Sequence, residues 1–170
     1  MEIEERLQIG TSNAPRLEDV AQHAGVSSAT VSRVLNQPEK VTEALRLKVQ
    51  KAVNELGYVP HGAARALASR RSLTIGAIVP TIDNAIFSCT LQHLQNQISN
   101  YGYTLLLASS DYNLERERKE CQALIEKSID GMILVGESHD PAVYNMLIAK
   151  QVPYTNIWIY DETSPHPCVG

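Results

Sequence analysis

Between Leu17 and Ala24 the apolar residues Leu17, Val20, Ala21 and Ala24 fall at i, i+3, i+4 and i+7, with Glu18, Gln22 and His23 outside that stripe. This period predicts a short helix with one buried face. Gly25 ends it, because a left-handed helix stop is favourable chiefly for glycine. Ser27 then stands where it can cap a second helix, whose inner face is Val31, Val34 and Leu35. The outer face, Ser28, Ala29, Ser32, Arg33 and Asn36, is short and polar. Two helices folded about a glycine with such a face left over fit a DNA-reading helix-turn-helix. An ordinary helical hairpin with a solvated face fits the local pattern equally well.

The pattern continues with a loop at Asn36 to Lys40, Thr42 as the cap of a third helix, and Leu45, Val49, Ala52, Val53 and Leu56 at helical spacing up to Gly57. Three facing stripes make a small core, marginal by size. Residues 1–14 show little periodicity and read as a disordered lead-in. Residues 61–71 are rich in alanine, which favours helix, but a lone helix shorter than about 12 residues is marginal in water. Gly62 weakens it further, so this linker is expected to become helical only on docking.

From Leu73 short apolar runs alternate with longer amphipathic stretches. Strands are predicted at Thr74 to Val79, Thr104 to Ala108, Gly131 to Val135 and Pro153 to Trp158. Helices are predicted at Ile86 to Tyr101, Leu114 to Lys127 and Pro141 to Lys150. Wholly apolar strands joined by helical crossovers imply a parallel sheet covered on both faces, a doubly wound α/β layer. Ligands of such sheets sit beyond the carboxyl ends of the strands. No glycine-rich phosphate fingerprint follows any strand, which disfavours a dinucleotide fold.

Charge changes this picture by separating front from back. Residues 15–71 carry nine Lys/Arg against five acids, a net of +4, and residues 72–170 carry five against eleven, a net of −6. A basic front suits a polyanion, although +4 is modest enough for ordinary surface variation. Hydrophobic content of 44% and charged content of 20% are those of a globular protein. The apolar runs fall far short of the roughly 18 residues a membrane span needs, and no leader pattern opens the chain, so a cytoplasmic setting is expected.

Three separated cysteines, Cys89, Cys121 and Cys168, suggest neither a disulfide framework nor a zinc site. Cys89 and His93 share a helix face, but two ligands do not make a metal site. No metal or cofactor is expected. The absence of a nucleophile elbow, a zinc-protease motif or a phosphate loop argues against an enzyme.

Taken together, the segments resemble the LacI/GalR family of bacterial transcription repressors. The resemblance rests on Asp19-Val20-Ala21, Ala24-Gly25-Val26-Ser27, Thr30-Val31-Ser32-Arg33-Val34-Leu35-Asn36 and Glu55-Leu56-Gly57-Tyr58-Val59-Pro60. Ala64-Arg65-Ala66-Leu67 and Thr74-Ile75-Gly76 extend it. It implies a helix-turn-helix domain over residues 15–60, a hinge over 61–71, and over 72–170 one partial lobe of a periplasmic-binding-protein-like core. It also implies a dimer on a palindromic double-stranded DNA operator, tuned by a sugar or sugar acid, in the bacterial cytoplasm.

By this resemblance Ser28, Ala29 and Arg33 read bases, with Thr30 and Ser32 near phosphates. Leu17, Ser27, Asn36, Tyr58, His61, Ala64 and Arg65 complete the implied DNA surface. Arg33 can pair bidentately with a guanine edge, whereas Ala29 offers only a methyl contact. Leu67 takes the place of the family's intercalating leucine, an apolar wedge that opens a base step and bends the duplex. His61 stands where the family generally has asparagine.

The effector candidates are Asp83, Phe87, Ser109, Asp111, Glu137 and Trp158, with His139 a further strand-end residue. Core or interface packing is the alternative role for the two aromatics, and helix capping or solvation for the acids. Family members continue into a second lobe, so a partial core with half its pocket wall and an unpaired strand edge is expected. The competing reading is a sugar-binding module without DNA function, or a fragment impaired in both.

Overall fold

A computed structural model describes residues 14–136 and 138–170, in two compact units that divide between Arg65 and Ala66. Apart from Ala14, the lead-in read over residues 1–14 lies outside the described residues.

The first unit holds α1 (Leu17–His23), α2 (Ser28–Asn36) and α3 (Glu43–Leu56), with one 3-10 turn at Pro38–Lys40. Gly25 takes φ +56°, and the Val26 N–H then donates back to the Ala21 carbonyl at 3.0 Å, closing α1. Gly57 ends α3 in the same way at φ +61°. The buried core is valine and alanine: Val20, Ala21, Ala24, Val31, Val34, Val49, Ala52 and Val53. Each buried valine contributes about 1.5–3 kcal/mol, so a small core of this kind tolerates little loss.

Two expectations are corrected here. Thr42 stands at the start of α3 with extended backbone, but its side chain makes no capping hydrogen bond; Glu43 in the first turn supplies a negative charge against the helix dipole instead. The linker is helical in the isolated chain, as α4 (Gly62–Ser69). Ala63, Ala64, Ala66, Leu67 and Ala68 are among the strongest helix formers, and together they outweigh Gly62 at its end.

The second unit is a five-stranded, wholly parallel sheet of β1 (Thr74–Val79), β2 (Thr104–Ser109), β3 (Gly131–Val135), β4 (Tyr154–Ile157) and β5 (Cys168–Val169). Its strand order is β2-β1-β3-β4-β5. The crossovers are α5 (Ala85–Asn100), α6 (Leu114–Glu126) and α7 (Pro141–Ala149). Alternate side chains of one strand serve opposite faces. Val79 and Val135 pack with Phe87 and Leu91 of α5, while Ile78 and Leu134 pack with Cys121 and Leu124 of α6 and Val143 and Leu147 of α7. The sheet is therefore doubly wound, and its order reverses between β1 and β3.

β4 is shorter than predicted, because Pro153 has no N–H to add to the ladder and Trp158 turns off it at φ +68°. β5 was not predicted, two residues being too few to show a strand period. It pairs with β4, so β2 and β5 are the sheet edges.

Candidate nucleic-acid interface and strand-end cleft

The Ser27 hydroxyl accepts the Thr30 N–H at 3.1 Å and lies 2.9 Å from the Thr30 hydroxyl, which fixes the first turn of α2. At the other end the Asn36 amide donates to the Ser32 carbonyl at 2.9 Å and to its hydroxyl at 3.3 Å. These bonds occupy Ser27, Thr30, Ser32 and Asn36 locally. Arg33 and Ala29 are exposed, Ser28 is half-buried, and none of the three has a side-chain hydrogen bond or ion pair among the described residues. The helix thus presents one uncommitted guanidinium beside one methyl and one hydroxyl.

Leu17 and Tyr58 sit differently from these, half-buried against the helical core. They position α1 and the segment after α3 rather than stand out as free side chains. α3 is tied to α1 by His23 Nε2 and Glu55 Oε2 at 2.8 Å. That bond, helped by Lys51, holds the exposed Glu55 carboxyl below its ordinary range. His61 is exposed just before α4, Ala64 and Arg65 lie within it, and Leu67 projects from it with 86% of its surface exposed. No hydrophobic core among the described residues takes this side chain in.

In the second unit, the order reversal leaves a crevice at the carboxyl ends of β1 and β3. A cavity of about 280 Å³ opens there. Ile78, Val79, Pro80, Leu114 and Val135 form its apolar wall, and Ser110, Tyr112, Asn113, Glu117, Ser138 and His139 supply its polar groups. At these strand ends Asp111, Tyr112 and Trp158 have φ between +53° and +68°, as Arg70, Leu73, Ser128 and Gln151 do elsewhere in the chain.

Of the residues named from the sequence, His139 lines this cavity, whereas Asp83, Phe87, Ser109, Asp111 and Trp158 do not. Ser109 turns its hydroxyl to the Pro80 carbonyl at 3.2 Å, and exposed Asp111 pairs with Arg116 at 3.8 Å. Asp83 is exposed in the turn before α5. Phe87 is buried in the core of the α5 face, with Trp158 stacked upon it. Glu137 lies outside the described residues.

The polar residues that do line it were legible in part. Strand ends pointed to the loops holding Ser110 to Asn113 and His139. Glu117 had its own signal, an acid on the stripe Leu114, Cys121 and Leu124, where a core residue belongs. Its buried carboxylate meets His139 Nδ1 at 2.6 Å and accepts the Asp140 N–H at 3.1 Å. His139 Nε2 lies 3.0 Å from the Gly136 carbonyl.

Cys89 and His93 on α5 lie 3.8 Å apart, and no group of three metal-ligating side chains occurs among the described residues. No helix among the described residues is long and apolar enough to cross a membrane.

Residues 16–61 match the family described as bacterial regulatory proteins, lacI family. The HTH-type transcriptional regulator GntR of Escherichia coli (strain K12) is 35% identical over 151 residues, which is 89% of this chain and 45% of that protein. A LacI-family transcriptional regulator from Silicibacter pomeroyi superposes with a TM-score of 0.79 at 33% identity, over 92% of this chain and 47% of that one. The lac repressor dimer bound to operator and the anti-inducer ONPF gives 0.75 at 28% identity, over 91% and 47%. The chain spans about half the length of the curated relatives it matches.

Proposed function

Since the chain belongs to the LacI family of bacterial regulatory proteins, we propose that it regulates transcription by reading a DNA operator with α2. The observation that carries this reading is the outer face of α2, where Arg33, Ala29 and Ser28 have no local partners and the neighbouring hydroxyls brace the helix. A guanidinium on a recognition helix reads a guanine edge in the major groove, and a methyl suits thymine. Residues 61–71 act as the hinge, with Leu67 entering the minor groove beside its counterpart in a dimer. The lac repressor in the operator complex is a dimer, and two copies are needed to span a palindrome.

The strand-end cavity is the lobe's share of an effector site for a sugar or sugar acid. Hydroxyl and amide groups over an apolar wall suit a polyhydroxylated ring. Repression of carbohydrate-utilisation genes in the bacterial cytoplasm is the corresponding role.

The test is selection of duplexes from a random pool by the full chain, followed by titration of the winner at several salt concentrations. A pseudo-palindromic sequence is expected, with log Kd changing by about 0.9 per phosphate contact for each tenfold change in salt. Recovery of unrelated sequences, or binding indifferent to salt, would overturn the proposal.

A further inference from the structure

We infer that Glu117 and His139 share one proton in a latch that fixes the loop after β3 against α6, so that proton occupancy sets one wall of the strand-end cavity. The inference follows from counting hydrogens. His139 Nδ1 faces a carboxylate oxygen at 2.6 Å and Nε2 faces the Gly136 carbonyl at 3.0 Å. Both partners are acceptors, and a neutral imidazole has a single N–H. The two contacts are both hydrogen bonds only when the pair holds one further proton. Either the ring carries it and donates from both nitrogens, or Glu117 carries it and donates to Nδ1. The pair is neutral overall in each case, as its burial requires, with side-chain exposures of 3% for His139 and 5% for Glu117.

Among the described residues no salt bridge brings a second charge to this pair. On α6 the buried Cys121 thiol lies near Glu117. From the loop, the Asp140 carboxylate is turned away to accept the Ala142 N–H at 2.8 Å. From α7, the Tyr144 ring meets His139 edge-on at 5.9 Å. Beyond it His166 stacks on Tyr144 at 3.6 Å, with Nδ1 held 2.8 Å from the Tyr154 hydroxyl. No lysine or arginine pairs with Glu117 among the described residues.

Loss of the shared proton sets two acceptors face to face, at 2.6 Å on one side of the ring or at 3.0 Å on the other. Buried lone pairs in opposition repel, and a ring with a single N–H can satisfy only one of its two acceptors. The ring must turn or the loop must lift, which frees the Gly136 carbonyl and the Asp140 N–H. Because Ser138 and His139 form one wall of the cavity and Glu117 another, the cavity changes shape with it. Linkage between this proton and effector affinity rests on the effector reading above; the proton sharing does not.

The experiment follows the ring nitrogens of His139 and the Asp140 amide in the full chain by NMR, without ligand, from about pH 5 to about pH 9. The expected result is one joint transition in which the Asp140 amide loses at least about tenfold of its exchange protection as the proton leaves. In Glu117→Gln the amide oxygen still accepts from Nδ1 but the charge is gone, so the joint transition should move to lower pH. A His139 transition that leaves the Asp140 amide unmoved, or one at the same pH in Glu117→Gln, overturns the latch. Should Glu117→Gln fail to fold, the joint or separate behaviour in the unaltered chain still decides. A joint transition in a chain that binds no sugar or sugar acid would leave the latch standing and remove the effector reading.

Discussion

Trp158 lies face to face with Phe87, ring centroids 4.7 Å apart and planes 14° from parallel, while its own backbone is held at φ +68°. A left-handed conformation costs a non-glycine residue about 1–2 kcal/mol, and the stack offsets it. Trp158→Ala should therefore lower the unfolding free energy by about 1–3 kcal/mol, less than for a fully enclosed tryptophan because 43% of Trp158 is exposed. Trp158→Gly loses the same stack but relieves the backbone, and should be the more stable of the two by up to about 1 kcal/mol. Urea unfolding followed by circular dichroism measures both, and the reverse order would show that the backbone there is unstrained.

The same pair shows how far the sequence could be read. The helical stripes and the apolar strands were legible because each is a repeated local pattern, and their order led to the doubly wound sheet. What Phe87 touches was not, because its neighbour Trp158 lies 71 positions along the chain and meets it only after the sheet has closed. The strand-end rule found the loops around the cavity but chose Ser109 and Asp111, whose side chains turn to Pro80 and Arg116, over Ser110 and Tyr112 beside them. Which of two adjacent loop residues points inward depends on backbone angles such as φ +53° at Asp111, and no periodicity reports those.

Two helix starts that look alike in sequence should respond differently to the same substitution. Ser27 accepts the Thr30 N–H, so Ser27→Ala should cost about 1 kcal/mol. Thr42 makes no such bond, so Thr42→Ala should cost no more than a few tenths. Thermal unfolding of the two variants side by side gives the comparison; equal losses would mean that the Ser27 bond contributes nothing.

Cys121 sets an alkaline limit on the α/β unit. Burial, with Glu117 nearby adding to it, pushes its thiol from 9.0 up to about 12. A group raised on folding stabilises below its unfolded value, and that contribution is lost as pH climbs from about 9 toward about 12, where the unfolded chain releases a proton the folded chain keeps. The slope is up to about 1.4 kcal/mol per pH unit. Cys121→Ala should flatten it while lowering stability at neutral pH through the cavity it leaves. An unchanged slope between about pH 9 and about pH 11 in that variant would assign the alkaline loss to other groups.

Arg33→Ala should leave thermal stability unchanged, since the guanidinium has no partner among the described residues. Operator affinity should fall by about 1–3 kcal/mol, and discrimination should relax at one base pair of each half-site. Competition titrations with singly substituted operators measure this. A uniform loss across all positions would make Arg33 a phosphate contact instead.

Leu67 supplies the sharpest separation between binding and bending. It is the most exposed large apolar side chain among the described residues, on a helix of only eight residues, and no hydrophobic core among the described residues takes it in. If it enters a base step, its truncation removes the wedge while the major-groove contacts of α2 remain. Leu67→Ala should then reduce the duplex bend and weaken operator binding, with little effect on thermal stability and no change in which bases are preferred. Leu67→Met keeps an apolar wedge of similar volume and should retain most of the bend. Measured by circular-permutation mobility on the selected operator, a normal bend in Leu67→Ala would place the residue outside the groove, and residues 61–71 would then be a plain linker.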